Sequence, residues 1–369
     1  MTKLKDITGK ALSGEWGTDD ETGVGIPVLR TTNFTNEGIV NYENVVTRII
    51  TKKDISEKYL QSGDIIIEKS GGSDKQPVGR VIYFDGPENT YLFNNFTGLL
   101  RVRDKNEWFP RYVFYSLFAN YKKGGTRPFE NKTTGLHNLK TDDYVSRYEI
   151  TEIPLNKQVA ICAQLDQILK VINLRRKEIS NLDDLIKARF VEMFGDNQEV
   201  HKLSDIAAIT GGLTKNSRRD KLELRKPYLR VANVFFASID TTEILDIGLT
   251  KEEYEKTLLR NGDLLFVEGN GSPDQIGRVA IWNGEIEDCV HQNHLIKARF
   301  DLKRMNPVFA MYYFISERGR NQIKKRAVST SGLYTLSVSK IADFEIPNPP
   351  MELQQQFAAF VAAIDKSKF

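Results

Sequence analysis

Apolar residues in this chain fall into two kinds of pattern. Short runs bounded by turn residues predict buried strands: Ile65-Ile66-Ile67 after Gly63-Asp64, and Leu264-Leu265-Phe266-Val267 after Gly262-Asp263. Each is followed by a glycine-rich stretch that reads as a loop, Ser70-Gly71-Gly72-Ser73 and Gly269-Asn270-Gly271-Ser272-Pro273. A second strand then begins at Gly79-Arg80-Val81 and at Gly277-Arg278-Val279. Aromatic stretches at helical spacing follow, Trp108 to Tyr121 and Pro307 to Ser316.

The second pattern is longer. From Lys157 to Phe194, Ile161, Leu165, Ile168, Ile172, Ile179, Leu182 and Ile186 recur at the four-three spacing of a coiled-coil seam, interrupted by Arg175 and Arg189. Pro154 stands where such a helix starts and Gly195 where it stops, so a helix over 154–196 is expected, running roughly 55 to 60 Å at 1.5 Å per residue. After Pro349-Pro350 the spacing begins again with Leu353, Phe357, Phe360 and Ile364, which predicts a second, shortened helix over 348–369. The expectation is that another chain completes the coil, by self-association or otherwise, or that the sequence is a shortened form.

These patterns are one pattern used twice. Leu4, Asp6 and Ile7 are answered by Leu203, Asp205 and Ile206; Leu29, Arg30 and Asn33 by Leu229, Arg230 and Asn233; Leu60, Gly63 and Asp64 by Leu259, Gly262 and Asp263. Later pairs read Leu99 with Leu295, Arg103 with Arg299, Pro110 with Pro307, Gly135-Leu136 with Gly332-Leu333, and Gln158 with Gln354. The offset drifts from 200 to 196 without breaking order, as duplication of one domain requires. The expected fold class is α+β. Two similar mixed α/β domains, 1–153 and 197–347, are joined by the long coiled-coil helix, and the shortened helix lies at the C-terminus.

Composition sharpens this only a little. The chain of 369 residues is long enough for two ordinary cores, and its two cysteines, Cys162 and Cys289, make no disulfide framework, which suits a reducing cytosol. MTKLKDITGK carries no signal-peptide core, and no apolar run approaches the roughly 18 to 20 residues of a membrane span, so a cytoplasmic location is expected.

Net charge is only +3, and the distribution of charge says more. Lys122, Lys123, Arg127 and Lys132 surround a Gly-Gly pair; Lys215, Arg218, Arg219, Lys221, Arg225 and Lys226 crowd one stretch of the second half, and Arg318, Arg320, Lys324, Lys325 and Arg326 another. Cations in glycine-bearing loops suit phosphate contacts. Beside them lie side chains able to read base edges: Asn94 and Asn95, Thr133, Thr134 and His137, then His291, Gln292, Asn293 and His294, and Ser329, Thr330 and Ser331.

Catalytic chemistry finds no home. Cys289, His291 and His294 lack the spacing of a closed metal site, and the glycine stretches lack the Lys-Ser/Thr ending of a P-loop. Asn348-Pro349-Pro350 is similar to the Asn-Pro-Pro-aromatic motif of adenine methyltransferases, but Met351 replaces the aromatic residue and the stretch reads as a helix start.

Taken together, Leu-x-Asp-Ile at each domain start, Leu-Arg-x-x-Asn at 29–33 and 229–233, Gly-Asp before a strand and then Gly-Arg-Val, Gly-Leu near 135 and 332, and the Pro-x-x-x-Gln helix start resemble the specificity subunits of type I restriction-modification systems. The resemblance implies two target-recognition domains, each reading one part of a split sequence in double-stranded DNA. It implies helices that pair as a spacer and dock modification (methyltransferase) subunits, with restriction subunits joining the complex. S-adenosylmethionine, ATP and Mg are then expected on those partners, and no cofactor or catalytic residue on this chain. Two rivals are a self-sufficient adenine methyltransferase and a coiled-coil assembly protein with two domains that do not bind DNA.

Overall fold

The computed structural model describes residues 1–133, 136–195, 199–330 and 332–368, with backbone alone at Lys132, Thr133 and Thr330. Thr134, Gly135 and Ser331 lie outside the described residues. The chain divides into two compact units, Met1–Asn173 and Leu174–Phe369.

Both units are built on the same central antiparallel sheet. In the first the order is Leu12–Ser13, Thr97–Leu100, Ile65–Glu68, Val81–Tyr83; in the second it is Ala207–Gly211, Leu295–Phe300, Asp263–Val267, Val279–Trp282. The runs 65–67 and 264–267 of these strands are wholly apolar because both of their faces are covered. Ile65 and Ile67 pack with Trp108 and with Val113 and Leu117 of the aromatic helix Pro110–Lys122, whereas Ile66 packs with Leu29 and Phe93 of a second sheet. Leu264 and Phe266, against Leu265 and Val267, divide the same way. The second sheet pairs Ile26–Leu29 in parallel with Leu92–Phe93, and Arg225–Leu229 with Val290–His291.

The glycine stretches are not loops throughout. Ser70–Gly72 and Gly269–Asn270 are short strands that carry the hairpins Glu130–Thr133/Leu136–Leu139 and Val328–Thr330/Leu333–Thr335. Their backbone groups find partners in a third sheet, which apolar patterning could not signal in a segment lacking apolar residues.

The repeated sequence markers are joints of this scaffold. Gly63 and Gly262 take φ of 96° and 91°, conformations open to glycine, and turn the chain so that the next aspartate meets an arginine on the directly paired neighbouring strand or at its end. Arg101 Nε and Nη2 donate to the Asp64 carboxylate at 2.8 and 2.7 Å; Arg299 repeats this on Asp263 at 2.7 and 2.7 Å. Arg101 is therefore the counterpart of Arg299, and Leu99 that of Lys297. The pairings of Leu99 with Leu295 and Arg103 with Arg299 are corrected by two residues. Asn33 Oδ1 accepts from Arg30 N at 2.9 Å, as Asn233 Oδ1 does from Arg230 N at 2.9 Å.

Gln158 and Gln354 are buried. Their Oε1 atoms accept from Phe109 N and Asn306 N, each at 2.8 Å, which are the N-cap positions of the aromatic helices Pro110–Lys122 and Pro307–Ile315. Each Nε2 donates back to its own helix start, to Ile153 O at 2.9 Å and to Pro349 O at 2.8 Å.

The long helix spans Leu155–Phe194, 40 residues, and the C-terminal helix Met351–Ser367, 17 residues. Within the second unit the two pack antiparallel. Phe357 sits 5.3 and 5.7 Å from Phe190 and Phe194, and Lys368 Nζ is 2.7 Å from Asp183. Ile186 and Phe357 are buried there, with Phe360 and Ile364 at the border, whereas Leu182 is half-buried and Leu353 exposed. Within the first unit the helix uses a different face: Gln158 and Cys162 are buried, and Asp166 receives Arg111 at 2.7 Å. Ile161, Ile168 and Ile172, together with Val171, are left exposed and Leu165 half-buried; Ile179, in the second unit, is exposed too. The seam expected from spacing is thus closed only at its distal end. No helix among the described residues is long and apolar enough to cross a membrane.

Candidate nucleic-acid interface

Lys122 and Lys123 end the aromatic helix, and with Lys75, Tyr121 and Arg127 they line a cleft of about 640 Å³. Lys122 Nζ lies 5.2 Å from the Phe118 ring centroid and Arg127 Nη2 donates to Asp74 O at 3.3 Å, so both cations are oriented by their surroundings. These four cations are phosphate-type donors gathered around one cleft. Lys132 and Thr133 stand on the neighbouring hairpin, but their side chains lie outside the described residues. His137 is a correction: it is buried on that hairpin, with Nδ1 2.9 Å from Glu130 and Nε2 3.6 Å from Asp74, and braces the strand pair instead of facing outward.

In the second unit Lys215 and Arg218 are exposed, on and beside the 3-10 turn Ser217–Lys221. Arg219 is not a free cation. Its Nη1 and Nη2 hold both oxygens of Glu253 at 3.0 and 2.8 Å while Nε donates to Thr214 O at 2.7 Å, clipping the turn to helix Lys251–Thr257. The hydrogen bond from Arg219 keeps the Glu253 carboxyl below its usual range. The basic run from Arg318 to Arg326 is a helix, Glu317–Arg326, not a loop; its Lys324 pairs with Asp274 at 2.6 Å and Arg326 donates to Asp343 O. Lys325 and Ser329 are exposed, and the Thr330 side chain lies outside the described residues.

His291 is the clearest correction. It is fully buried, with Nδ1 2.9 Å from Leu295 O and Nε2 without a partner, and burial pulls its pKa down to about 3. A neutral imidazole inside the sheet takes the place that Phe93 has in the first unit and reaches no ligand. Asn293 is half-buried beside it, and His294 is exposed with Nδ1 2.8 Å from Glu268. Sequence reading missed what faces outward at the matching turn of the first unit, the Phe96 ring; an apolar residue beside a strand looks like core until its register is known.

A sequence-family model for the type I restriction modification DNA specificity domain matches the chain twice, over residues 1–183 and 195–369. The type I restriction enzyme EcoKI specificity subunit of Escherichia coli is 23% identical over 379 aligned positions, spanning 92% of this chain and 77% of that one. A Methanocaldococcus jannaschii protein, provisionally named the type I restriction enzyme MjaX specificity subunit, is 28% identical over 204 residues, 54% of this chain and 44% of that one, so the match spans less than half of that relative. The crystal structure of a type I restriction-modification S subunit from M. genitalium shares the fold, with a TM-score of 0.54 at 16% identity, covering 99% of this chain and 89% of that one. With the doubled scaffold and the doubled family match in agreement, the chain belongs to the family of type I restriction-modification specificity subunits.

Proposed function

We propose that this chain is the non-catalytic reader of a type I complex. Each unit recognises one half of a bipartite sequence in duplex DNA, and modification and restriction subunits carry out adenine-N6 methylation and cleavage. The observation that carries the reading is that the two units keep the same sheets and joints while their exposed loop residues differ. One scaffold holding two sets of outward side chains is what two unlike half-sites require. S-adenosylmethionine, ATP and Mg belong to the partner subunits in this reading. The exposed strip Ile161, Ile168, Val171 and Ile172 of the long helix offers those partners an apolar dock. Backbone contacts are assigned to Lys122, Lys123 and Arg127 in the first unit and to Lys215, Arg218 and Lys325 in the second.

Binding of the chain with its modification subunits to a cognate duplex, measured against salt, tests this. The slope of log affinity on log salt grows by about 0.9 per phosphate contact, so Lys122→Glu with Lys123→Glu should flatten it by about two. A slope near zero for the unchanged protein refutes the reading.

A further inference from the structure

In both units the chain crosses from the second sheet to the central sheet through a short turn, Asn94-Asn95-Phe96 and Gln292-Asn293-His294. Four backbone hydrogen bonds are common to both turns, and Asn293 N adds another in the second unit, to Leu213 O at 3.0 Å. Asn94 N donates to Leu29 O at 3.0 Å, and Gln292 N to Leu229 O at 2.9 Å. Thr97 N closes on Asn94 O at 3.1 Å, and Leu295 N on Gln292 O at 2.9 Å. Phe93 O accepts from Glu15 N and His291 O from Leu213 N, both at 2.8 Å. Phe96 O accepts from Lys69 N at 2.8 Å and His294 O from Glu268 N at 2.9 Å.

A glycine closes the cage in each copy. A Cβ on Gly14 would stand 2.2 Å from the carbonyl oxygens of Phe93 and Asn94, and one on Gly212 2.1 Å from that of His291. The residue that grips each turn also carries the hairpin, since Lys69 O accepts from Leu139 N and Glu268 O from Leu336 N, both at 2.8 Å. Turn and hairpin therefore form one surface in each unit.

From this fixed seat a ring projects into solvent, Phe96 at 54% exposure in one unit and the His294 side chain at 56% in the other. A single exposed phenylalanine needs no explanation. Unlike rings on the same hydrogen-bonded seat in two diverged copies do. Resting on the reading of the chain as a DNA-recognition subunit, we propose that Phe96 and His294 are specificity-determining residues, each meeting base edges in its own half-site.

Their chemistries differ. The Phe96 ring has no polar atom and suits a thymine methyl or an opened base step. His294 donates from Nδ1 to the Glu268 carboxylate at 2.8 Å, which fixes the ring and leaves Nε2 to hydrogen-bond a base edge. Fixed side chains discriminate well because little ordering remains to be done on binding.

The test uses the chain assembled with its modification subunits, S-adenosylmethionine and a library of duplexes randomised across the target, reading which sequences become methylated. Phe96→Ala should relax the base preference at one or two positions of one half-site by roughly tenfold, and His294→Ala should do so only in the other half-site. His294→Gln, which keeps a polar group, should change the preferred base there. Thermal unfolding should be unaltered, as both rings are exposed. Variants that keep the parent preference at every position, or that lose methylation evenly across all sequences, overturn the proposal. If the unchanged complex itself shows no sequence preference, the underlying reading of the chain fails first.

Discussion

Lys297 occupies in the second unit the place that Leu99 occupies in the first, and both are buried, at 3% and 1% exposure. Its Nζ donates to Lys256 O and Leu258 O at 3.0 and 3.1 Å, with no carboxylate in direct contact among its hydrogen-bond partners. Burial, with the Arg299 guanidinium adding to it, pulls the ammonium pKa down to about 8. Below that value the lysine is charged in both folded and unfolded chains and its burial cost is constant. Between about 8 and the unfolded value near 10.4 the unfolded chain holds the proton that the folded chain has shed, so stability rises with pH. From about pH 7.5 to about pH 9.5 the gain comes to roughly 2 kcal/mol. Lys297→Leu, the first unit's own solution, should abolish it. Urea unfolding of the second unit reads this, with Trp282 left as sole tryptophan after Trp16→Phe and Trp108→Phe. Buried tyrosines such as Tyr312, pushed up to about 12 by burial, begin to destabilise the fold only at the top of this range, and they are common to parent and variant and cancel in the difference. Equal pH dependence in the two proteins would refute the reasoning.

Other perturbations follow from the joints. Phe357→Ala removes a fully buried ring from the cluster with Phe190, Phe194 and Tyr312 and should cost the second unit about 3 to 5 kcal/mol in the same unfolding assay; a loss under about 1 kcal/mol would mean the helices are not held there. Asp64→Asn and Asp263→Asn each break a two-bond arginine clip and should cost about 2 to 3 kcal/mol, each speeding amide exchange in its own unit alone. Arg219→Gln should speed amide exchange across Ser217–Lys221 while leaving the salt slope of DNA binding unchanged, whereas Arg218→Gln should lower that slope by about one.

Much of the scaffold is legible in the sequence because its joints use residue types that little else can replace. Gly-Asp needs a positive φ followed by a carboxylate, and Pro-x-x-x-Gln sets a helix start and then an amide that can accept and donate at once. Duplication made these visible. The candidate interface was less legible, for physical reasons. Arg218 and Arg219 are neighbours of one type, yet one is exposed and the other is spent on Glu253, a residue remote in sequence. His291 and His294 likewise differ only in place: one ends a buried strand and the other lies in the exposed turn that follows it, a boundary that residue type does not mark. The seam of the long helix was legible as a seam and no further. Four-three spacing marks apolar positions without saying which are covered within this chain, and Phe190 and Phe194 do the packing that Ile168 and Ile172 do not.

Gln158 and Gln354 make the joint between each body and its helix through backbone groups at helix starts, apart from the candidate DNA-contacting side chains. Two bodies with one kind of socket are interchangeable parts. Recombination that cuts beside Pro154 or Pro350 passes on a body whole, with its fitting attached, whereas a cut between Asp64 and Arg101 leaves half a clip on each product. On the proposed reading, exchange of whole bodies at those two prolines keeps every clip and socket intact, which a breakpoint inside a sheet does not.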